Sequence, residues 1–387
     1  MQWIIKKMAA VAGLAALSLP AGAEELLVGL HMPLTGALAR SGAGFNEGIK
    51  TAAEIFNKTN GKHTVKLVTV DDESAPAKAV AAVEKLSSEK VQAIIGGYGS
   101  NIIGPASDAA ERIGLTYITA GGVSDSLVNR GYKHFFRINN IAGYEKAVTT
   151  LIEEVGVKSV SVVFNTKEAT AGLAEGLEKA LAAKGVKVTT HAFDPAITDF
   201  KPVVNKIKLI DKPDVIVMSA YENDYVGILR AAKVLKPDVK AMIGVWSLAT
   251  PQMAADFPDL MPNVIGTALL PYPVEYKSAE GKLFAETYKR LFNTDVDYLA
   301  QFGYVKASVL FEAMARAADD GSLAKGGLSE VLRKTDRETL IGRLVFDAKG
   351  DNPNFQHRMG QHQDGKIVMV SPKAEATGPL RFPATPW

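Results

Sequence analysis

Short apolar runs alternate with longer amphipathic stretches through the first half of the chain. The runs LLVGLH at 26–31 and HTVKLVTV at 63–70 have the length of strands, and each is followed by a turn and a pattern with a helical period. A third run ends at Ile95 and leads into GGYGSN at 96–101, where small residues precede a further helix. Alternation at this spacing predicts βαβ crossovers and a parallel sheet covered by helices on both faces.

The same order of elements recurs in the second half of the chain. Strands are predicted at 157–164, 186–193 and 214–220, with helices between them and a polar turn after the last one. Tyr221 follows its strand as Ser100 follows the corresponding strand of the first half. The pattern therefore predicts an α/β fold with two similar lobes, each a parallel-rich sheet, whose strand ends face each other across a cleft. Open α/β sheets bind ligands at that edge.

The first 23 residues have a different pattern. Two lysines, an apolar run at 8–19 and the small residues Ala21-Gly22-Ala23 are typical of a secretory signal peptide, with cleavage predicted after Ala23. The apolar run is too short to span a membrane, and no later stretch is typical of a transmembrane helix. The mature chain is therefore expected to be exported and to have no membrane span of its own.

Composition narrows the class of protein. The chain has 387 residues, of which 47% are hydrophobic and 22% charged, and this length suits two soluble domains. Removal of the signal peptide takes away two lysines and no acid, which leaves a formally neutral chain without a basic stripe for nucleic acid. The absence of cysteine excludes disulfides, thiolate metal sites and a cysteine nucleophile.

Catalytic and cofactor motifs are missing from the sequence. GYGSNI at 97–102 lacks the last glycine of a dinucleotide-binding GxGxxG, and the chain has no GxxxxGK[ST], GxSxG or HExxH. Asp71-Asp72 follows a strand, where such a pair is expected to cap and solvate a turn. Because no nucleophile–base pair or metal set is found, the chain is not expected to be an enzyme or to hold a metal or cofactor.

Several motifs occur in the order in which one known family has them. They are PLTG at 33–36, DDES at 71–74, IIGGYGS at 94–100, YITAGG at 117–122, TDF at 198–200 and DVIVMSAY at 214–221. From about Leu26 to Val370 the chain resembles the leucine/isoleucine/valine-binding family of periplasmic substrate-binding proteins of ABC transporters. The resemblance implies the type I periplasmic binding fold, in which two lobes joined by a three-crossover hinge close on a small ligand.

The resemblance also implies lobe limits, location and partners. The first lobe would comprise residues 24–140 and 272–348, and the second lobe residues 141–271 and 349–387. The mature protein is expected to be a periplasmic monomer that delivers its ligand to the membrane permease of an ABC importer, with no nucleic acid partner. A receptor domain of the same fold would need a transmembrane or signalling segment after residue 350, which the sequence does not contain.

Ligand-binding roles fall on residues at the predicted strand ends. Ser100 matches a serine that hydrogen-bonds the ligand carboxylate, and Gly121–Val123 matches the backbone around the ligand's polar end, with valine in place of the family's usual threonine. Ser41 and Tyr221 match residues that line the pocket, and Arg40 could add a charge-assisted bond to an acid. The complete predicted set is Ser41, Tyr98, Ser100, Gly121, Gly122, Val123, Tyr221 and Trp246, with Arg40, Asn101, Ala169 and Glu222 as weaker candidates.

Two departures from the family's pattern concern the ligand's amino group. Ala169 stands where amino-acid binders often have a tyrosine, and Trp246 stands where they have the glutamate that pairs with the α-ammonium. A buried ammonium without a partner is costly, whereas tryptophan offers a flat apolar face. The residues therefore favour a carboxylate ligand without an α-amino group, namely an aromatic acid such as a benzoate, a hydroxybenzoate or a cinnamate.

Other interpretations of these departures stay open at this point. Trp246 could pack beneath the hinge, and Glu222, Asp224 or Asp125 could replace the missing glutamate. The ligand would then be a branched-chain or other amino acid, or an amide, carried by the same class of transporter.

Overall fold

The first lobe is built on a five-stranded sheet. The computed structural model describes residues 24–387, so the predicted signal peptide at 1–23 lies outside the described residues. The strands of this lobe are β1 (Glu25–Met32), β2 (Thr64–Asp71), β3 (Ala93–Ile95), β4 (Thr116–Thr119) and β5 (Phe135–Arg137), and its helices include α1 (Ala39–Thr59), α2 (Pro76–Ser88) and α3 (Ser100–Ile113). The sheet is parallel throughout, in the order β2-β1-β3-β4-β5.

The second lobe repeats this order of strands. Its parallel strands are β6 (Ser159–Asn165), β7 (Lys187–Phe193), β8 (Val215–Ser219), β9 (Ala241–Gly244) and β10 (Ile265–Ala268), and its helices are α4 (Ile141–Val155), α5 (Glu168–Ala182), α6 (Lys201–Lys206), α7 (Glu222–Leu235) and α8 (Pro251–Asp256). Their order is β7-β6-β8-β9-β10, which matches that of the first lobe position by position. The strand order therefore reverses at the same place in both sheets, between β1 and β3 in the first lobe and between β6 and β8 in the second.

The chain passes between the two sheets three times. It leaves the first sheet after β5 and returns after β10 to form α9 (Ala279–Phe292), α10 (Tyr298–Asp319), α11 (Leu328–Arg333) and the hairpin of β11 (Asp336–Thr339) and β12 (Gly342–Val345). The third passage leads to β13 (Arg358–Gln363) and β14 (Lys366–Ser371), which extend the second sheet in antiparallel pairing. The predicted fold class, with two parallel-rich lobes and a three-crossover hinge, is confirmed.

Helices α1 and α10 cross at very short range on the first lobe. A Cβ atom on Gly48 would lie 2.0 Å from the carbonyl oxygen of Ala300, and one on Gly303 would lie 2.2 Å from that of Phe45. Only glycine permits this approach of the two backbones. As a result, the first turns of α10 pack directly against the middle of α1. No helix within residues 24–387 has the length and apolar character needed to cross a bilayer.

Three local details complete the description of the first lobe. Asp71 and Asp72 both accept hydrogen bonds from N–H groups of the turn, as expected, Asp72 from Ser74 at 3.1 Å. Asp72 is fully buried, however, and its second carboxylate oxygen lies 2.9 Å from His31 Nδ1. Ser74 lies just before α2 but does not cap it, because its hydroxyl oxygen accepts the N–H of Leu38 at 3.1 Å. Helix α10 begins at Tyr298, where the carboxylate of Asp297 accepts the N–H of Ala300 in the first turn.

Candidate functional site

Residues at the carboxyl ends of strands from both lobes meet around one cavity of about 100 Å³. Tyr98 follows β3, Asn165 ends β6, Tyr221 follows β8 and Trp246 follows β9. The same cavity, called here the outer cavity, is also lined by Ala37, Leu38, Ser41, Lys167, Pro195, Glu222, Asn223, Asp224 and Ser247. It therefore lies where the strand order reverses in each lobe, which is the usual ligand position in open α/β sheets.

A second, smaller and largely apolar space of about 10 Å³ adjoins the outer cavity and shares two aromatic walls with it. Tyr98 and Trp246 line both spaces. The remaining walls of this inner cavity are Phe45, Ala120, Gly121, Val123, Asn139, Tyr144, Tyr298, Leu299 and Phe302. The two cavities together are called the interlobe site, and aromatic side chains form most of its inner part.

Aromatic rings from the two lobes contact each other across this site. The centroid of the Trp246 ring lies 5.7 Å from that of Tyr144, in stacked geometry at 23°, and 6.0 Å from that of Tyr221. Tyr98 of the first lobe meets Tyr221 edge-on, with centroids 6.3 Å apart. Trp246 is only 5% exposed and has a φ of +53°, a left-handed conformation that is unfavourable for a bulky residue. Such strain is concentrated at ligand sites, where surrounding structure enforces it.

Ser100 supports the first-lobe wall from behind. It is 2% exposed, and its hydroxyl oxygen accepts the N–H groups of Val123 and Ser124 at 3.1 and 3.2 Å. The buried guanidinium of Arg137 holds the same loop by donating to the carbonyl oxygens of both residues at 2.7 and 2.8 Å, and it pairs with Asp351 at 2.8 Å. Ser100 itself lines neither cavity, so it fixes the backbone that reaches the inner cavity.

Gly121 and Gly122 follow β4 in the same loop. A Cβ on Gly121 would lie 2.1 Å from the carbonyl oxygen of Gly97, so the two site loops touch through their backbones. Gly121 lines the inner cavity, whereas Gly122 faces Leu127 and Ile103. Only glycine at 121 allows this contact between the loops.

Two carboxylates line the outer cavity, and both already have partners. Glu222 accepts a hydrogen bond from Ser247 Oγ at 2.9 Å, and its Oε2 lies 3.4 Å from Arg40 Nε. Asp224 accepts from Tyr221 N–H and from Asn165 Nδ2, both at 3.1 Å. Burial raises the pKa of each carboxyl above its ordinary value, and the hydrogen bonds to Ser247 and Tyr221 oppose this rise. Neither carboxylate is therefore an unoccupied partner for a ligand cation.

Lys167 brings a positive charge to the outer cavity. Its ammonium nitrogen lies 5.0 Å from the centroid of the Tyr221 ring. Within the part of the chain that the structure describes, no carboxylate oxygen lies within 4.0 Å of this ammonium. The side chain is half-buried, so its charge is available to an anionic group in the cavity.

Four of the weaker or alternative candidates lie away from the two cavities. The Arg40 guanidinium is directed across the cleft mouth to Glu222 and Asp256, and Asn101 lies in the first turn of α3. Ala169 is buried in α5, and Asp125 is 63% exposed and pairs with Arg137 at 3.1 Å. Of the sequence-predicted set, the lining residues are Ser41, Tyr98, Gly121, Val123, Tyr221, Glu222 and Trp246.

Comparison with known proteins identifies the class to which this site belongs. The family model described as periplasmic binding protein matches residues 25–366. The chain belongs to that family. The resemblance to the leucine/isoleucine/valine-binding proteins of ABC transporters is thereby confirmed, and members of the family serve transport by working with membrane permeases.

Similar proteins cover nearly the whole of this periplasmic binding protein. A leucine-, isoleucine-, valine-, threonine- and alanine-binding protein of Pseudomonas aeruginosa is 26% identical over 93% of this chain and 96% of its own length. The crystal structure of a leucine-binding protein from Thermotoga maritima has a TM-score of 0.80 at 23% identity, covering 90% of this chain and 99% of the other. A solute-binding protein from R. palustris in complex with benzoate has a TM-score of 0.79 at 21% identity, covering 90% and 96%.

Proposed function

We propose that this periplasmic binding protein captures an aromatic carboxylate without an α-amino group, of the benzoate, hydroxybenzoate or cinnamate type, for delivery to the permease of an ABC importer. The observation that carries the proposal is the convergence of Tyr98, Tyr221 and Trp246 from both lobes on one cavity. Aromatic rings offer a planar ligand offset-stacked or edge-on contacts that an aliphatic chain cannot match.

Charge in the interlobe site favours an anion over a zwitterion. An α-ammonium would have to displace Arg40 and Ser247 from Glu222, or displace the Tyr221 N–H and the Asn165 amide from Asp224. Lys167, in contrast, can pair with a carboxylate without breaking an ion pair within the described residues. The carboxylate would be held between this ammonium and the first-lobe loop at Gly121–Val123, which the family resemblance assigns to that group and whose backbone Ser100 holds in place.

Binding would couple the two lobes. A ligand that touches Tyr98 on one lobe and Tyr221, Trp246 and Lys167 on the other gains its full contacts only when the cleft is closed. Because a ligand shifts a conformational equilibrium only by its differential contacts, these residues would set the closing free energy. The permease would then receive the closed form.

The alternative is an amino acid, and one observation favours it. The relative that binds five amino acids matches nearly the full length of the chain, and the leucine-binding structure has the same fold. The benzoate complex shares that fold to a similar degree, so the scaffold is compatible with either ligand. Glu222 is the residue on which amino-acid binding would depend, since it is the carboxylate that could exchange Arg40 for an ammonium.

Titration of the mature protein against two ligand panels tests the proposal. One panel holds aliphatic and aromatic α-amino acids, and the other holds benzoates, hydroxybenzoates, cinnamates and short aliphatic acids. After the proposed signal cleavage Trp246 and Trp387 are the remaining tryptophans, so Trp246→Phe should abolish the fluorescence response and Trp387→Phe should preserve it. Thermal shifts provide a second readout that does not depend on tryptophan.

The outcomes separate the two ligand classes. A micromolar response to aromatic acids that is lost in Trp246→Phe supports the proposal. A response to leucine or valine alone contradicts it and directs attention to Glu222, Asp224 and Asp125.

We also infer the processing and state of the mature protein. The chain would be cleaved after Ala23, act as a monomer in the periplasm, and release its ligand chemically unchanged, without metal or cofactor. Intact mass of the exported protein tests the cleavage site. Light scattering tests the monomeric state, and chromatography of the released ligand tests whether it is chemically unchanged. A dimer or a converted ligand would contradict them.

A further inference from the structure

The inner cavity contains one buried polar atom without a partner. Asn139 is 2% exposed and lines this cavity among apolar and aromatic side chains. Its Nδ2 donates to the Tyr144 hydroxyl at 3.3 Å, whereas its Oδ1 has no hydrogen-bond partner among the described residues. Buried polar atoms are nearly always paired in native structures, so an unpaired acceptor facing a ligand site indicates that the ligand supplies the donor.

The orientation of the Asn139 amide follows from a chain of hydrogen bonds that starts at a backbone carbonyl. His357 Nδ1 lies 3.0 Å from the oxygen of Ala268, which can only accept, so Nδ1 carries the ring hydrogen. Burial lowers the pKa of His357 to about 3, which keeps the ring neutral and leaves Nε2 as an acceptor. The Tyr298 hydroxyl, 2.7 Å from Nε2, must therefore donate to it.

Each tyrosine hydroxyl has one hydrogen, so the donor in one hydrogen bond determines the donor in the next bond toward the cavity. Tyr298 has given its hydrogen to His357 and accepts from the Tyr144 hydroxyl at 3.0 Å. Tyr144 in turn accepts, and only the NH₂ group of Asn139 can supply that bond. The Asn139 oxygen is consequently the atom that faces the cavity. A flipped amide would place this oxygen against the Tyr144 oxygen, and neither atom would have a hydrogen for the bond.

We propose that Asn139 Oδ1 accepts a hydrogen bond from a ring hydroxyl of the ligand and thereby selects hydroxylated aromatic carboxylates, with His357, Tyr298 and Tyr144 as positioning residues. This inference rests on the proposed function and narrows it. An ionised carboxylate has no hydrogen to donate, so it must lie elsewhere in the interlobe site. An ammonium is disfavoured here because the lining of the inner cavity contains no carboxylate.

Matched ligands test the role of the donor. Each of 3- and 4-hydroxybenzoate is compared with the fluorobenzoate of the same position by calorimetry, since fluorine is similar in size but has no hydrogen to donate. The wild-type protein should bind one of the two hydroxy acids about tenfold or more tighter than its fluoro counterpart, the ratio expected for one buried hydrogen bond. Equal affinities at both positions would overturn the inference.

Two variants test the residues, with the hydroxy-to-fluoro affinity ratio as the readout. Asn139→Leu removes the acceptor and should reduce the ratio to about twofold or less. In Tyr298→Phe the Tyr144 hydroxyl loses its acceptor and turns to the Asn139 oxygen, which presents the amide NH₂ group to the cavity. The preference should disappear in this variant although Asn139 is still present, a result that loss of packing alone would not give.

A control variant separates these effects from a general loss of tyrosine hydroxyls. Tyr132→Phe removes a hydroxyl that donates to Asp108 at 2.9 Å and lines neither cavity, so it should retain the wild-type ratio. A ratio that stays at tenfold or more in Tyr298→Phe contradicts the positioning chain. Tight binding of all benzoates with no hydroxyl preference refutes this inference and leaves the proposed function standing, whereas binding of amino acids alone contradicts both.

Discussion

Substitution of Arg40 by glutamine is expected to weaken the closed state while leaving the walls of the interlobe site in place. Arg40 lies on α1 of the first lobe, and its guanidinium contacts Glu222 at 3.4 Å and forms an ion pair with Asp256, both of the second lobe. Because these contacts bridge the two lobes, opening of the cleft would break them. Their loss should therefore appear in the lifetime of the complex rather than in the choice of ligand.

The size of the effect follows from the exposure of the three side chains. Arg40 is 42% exposed, Asp256 31% and Glu222 18%, so solvent screens both pairs. Partly exposed pairs contribute about 0.5 kcal/mol each, which gives about 1 kcal/mol for the two. That free energy changes the ratio of closed to open molecules, and with it the ligand dissociation rate, by about fivefold.

Stopped-flow displacement of a bound aromatic acid, followed by tryptophan fluorescence, measures this rate. Arg40→Gln should release the ligand about fivefold faster at low salt, and the difference should shrink at high salt because exposed ion pairs are screened. Arg290→Gln is the matched control, since Arg290 pairs with Glu54 at 2.8 Å within the first lobe and changes the net charge equally. Equal rates for the two variants, or a difference that salt does not reduce, would refute the reasoning.

Further predictions concern stability against pH, measured as Tm from pH 4 to 9. Burial lowers the pKa of His357 to about 3 and of His362 to about 4, so stability should fall as the pH drops below about 6.5, and less steeply in His362→Gln. Burial lowers the pKa of Lys306 to about 7, so Lys306→Met should raise Tm more at pH 6 than at pH 9; equal increases at the two pH values would show that the pKa of Lys306 is not lowered in the folded protein. Burial raises the pKa of Asp297 to about 6, so Asp297→Asn should raise Tm more at pH 8 than at pH 4.

Several walls of the outer cavity could be anticipated from the sequence, because the residues that follow predicted strands lie at one edge of a parallel sheet. Tyr98, Tyr221 and Trp246 each come directly after a short apolar strand, and parallel strands place such residues at one edge. The same rule applied to the strand that ends at Asn165 would have included Lys167, which sequence reasoning left out. Their ligand-binding roles stay predictions, whereas their meeting at one cavity is a property of the structure.

Beyond Tyr98, Gly121, Val123 and Trp246, the walls of the inner cavity could not be anticipated in this way. Asn139 and Tyr144 flank the first passage between the lobes, Phe45 lies on α1, and Tyr298 and Phe302 lie on α10. They meet only because two helices that are distant in sequence pack together and the lobes close, and no spacing records that arrangement. The only local signal was the aspartate before Tyr298, a standard helix cap that would have placed the start of α10 correctly.

Ser100 shows a second limit of sequence reasoning. A serine after a strand is compatible both with a ligand contact and with a bond to a neighbouring loop. In the structure its oxygen accepts two backbone N–H groups, so its contribution to the first-lobe wall is certain from geometry alone. Which N–H donors the Ser100 oxygen meets depends on the loop after β4, and the path of that loop is set by long-range packing.

The close packing of α1 against α10 also determines how much of the chain must fold before the ligand site is complete. Helix α1 ends at Thr59, but the helix that covers it begins only at Tyr298, after the whole parallel part of the second sheet. Contacts between segments so far apart slow folding, because the intervening chain must be ordered first. A nascent or truncated chain that stops before Tyr298 would leave one face of α1 uncovered and one wall of the inner cavity unbuilt. The ligand site is therefore complete only after the chain beyond Tyr298 has folded onto α1.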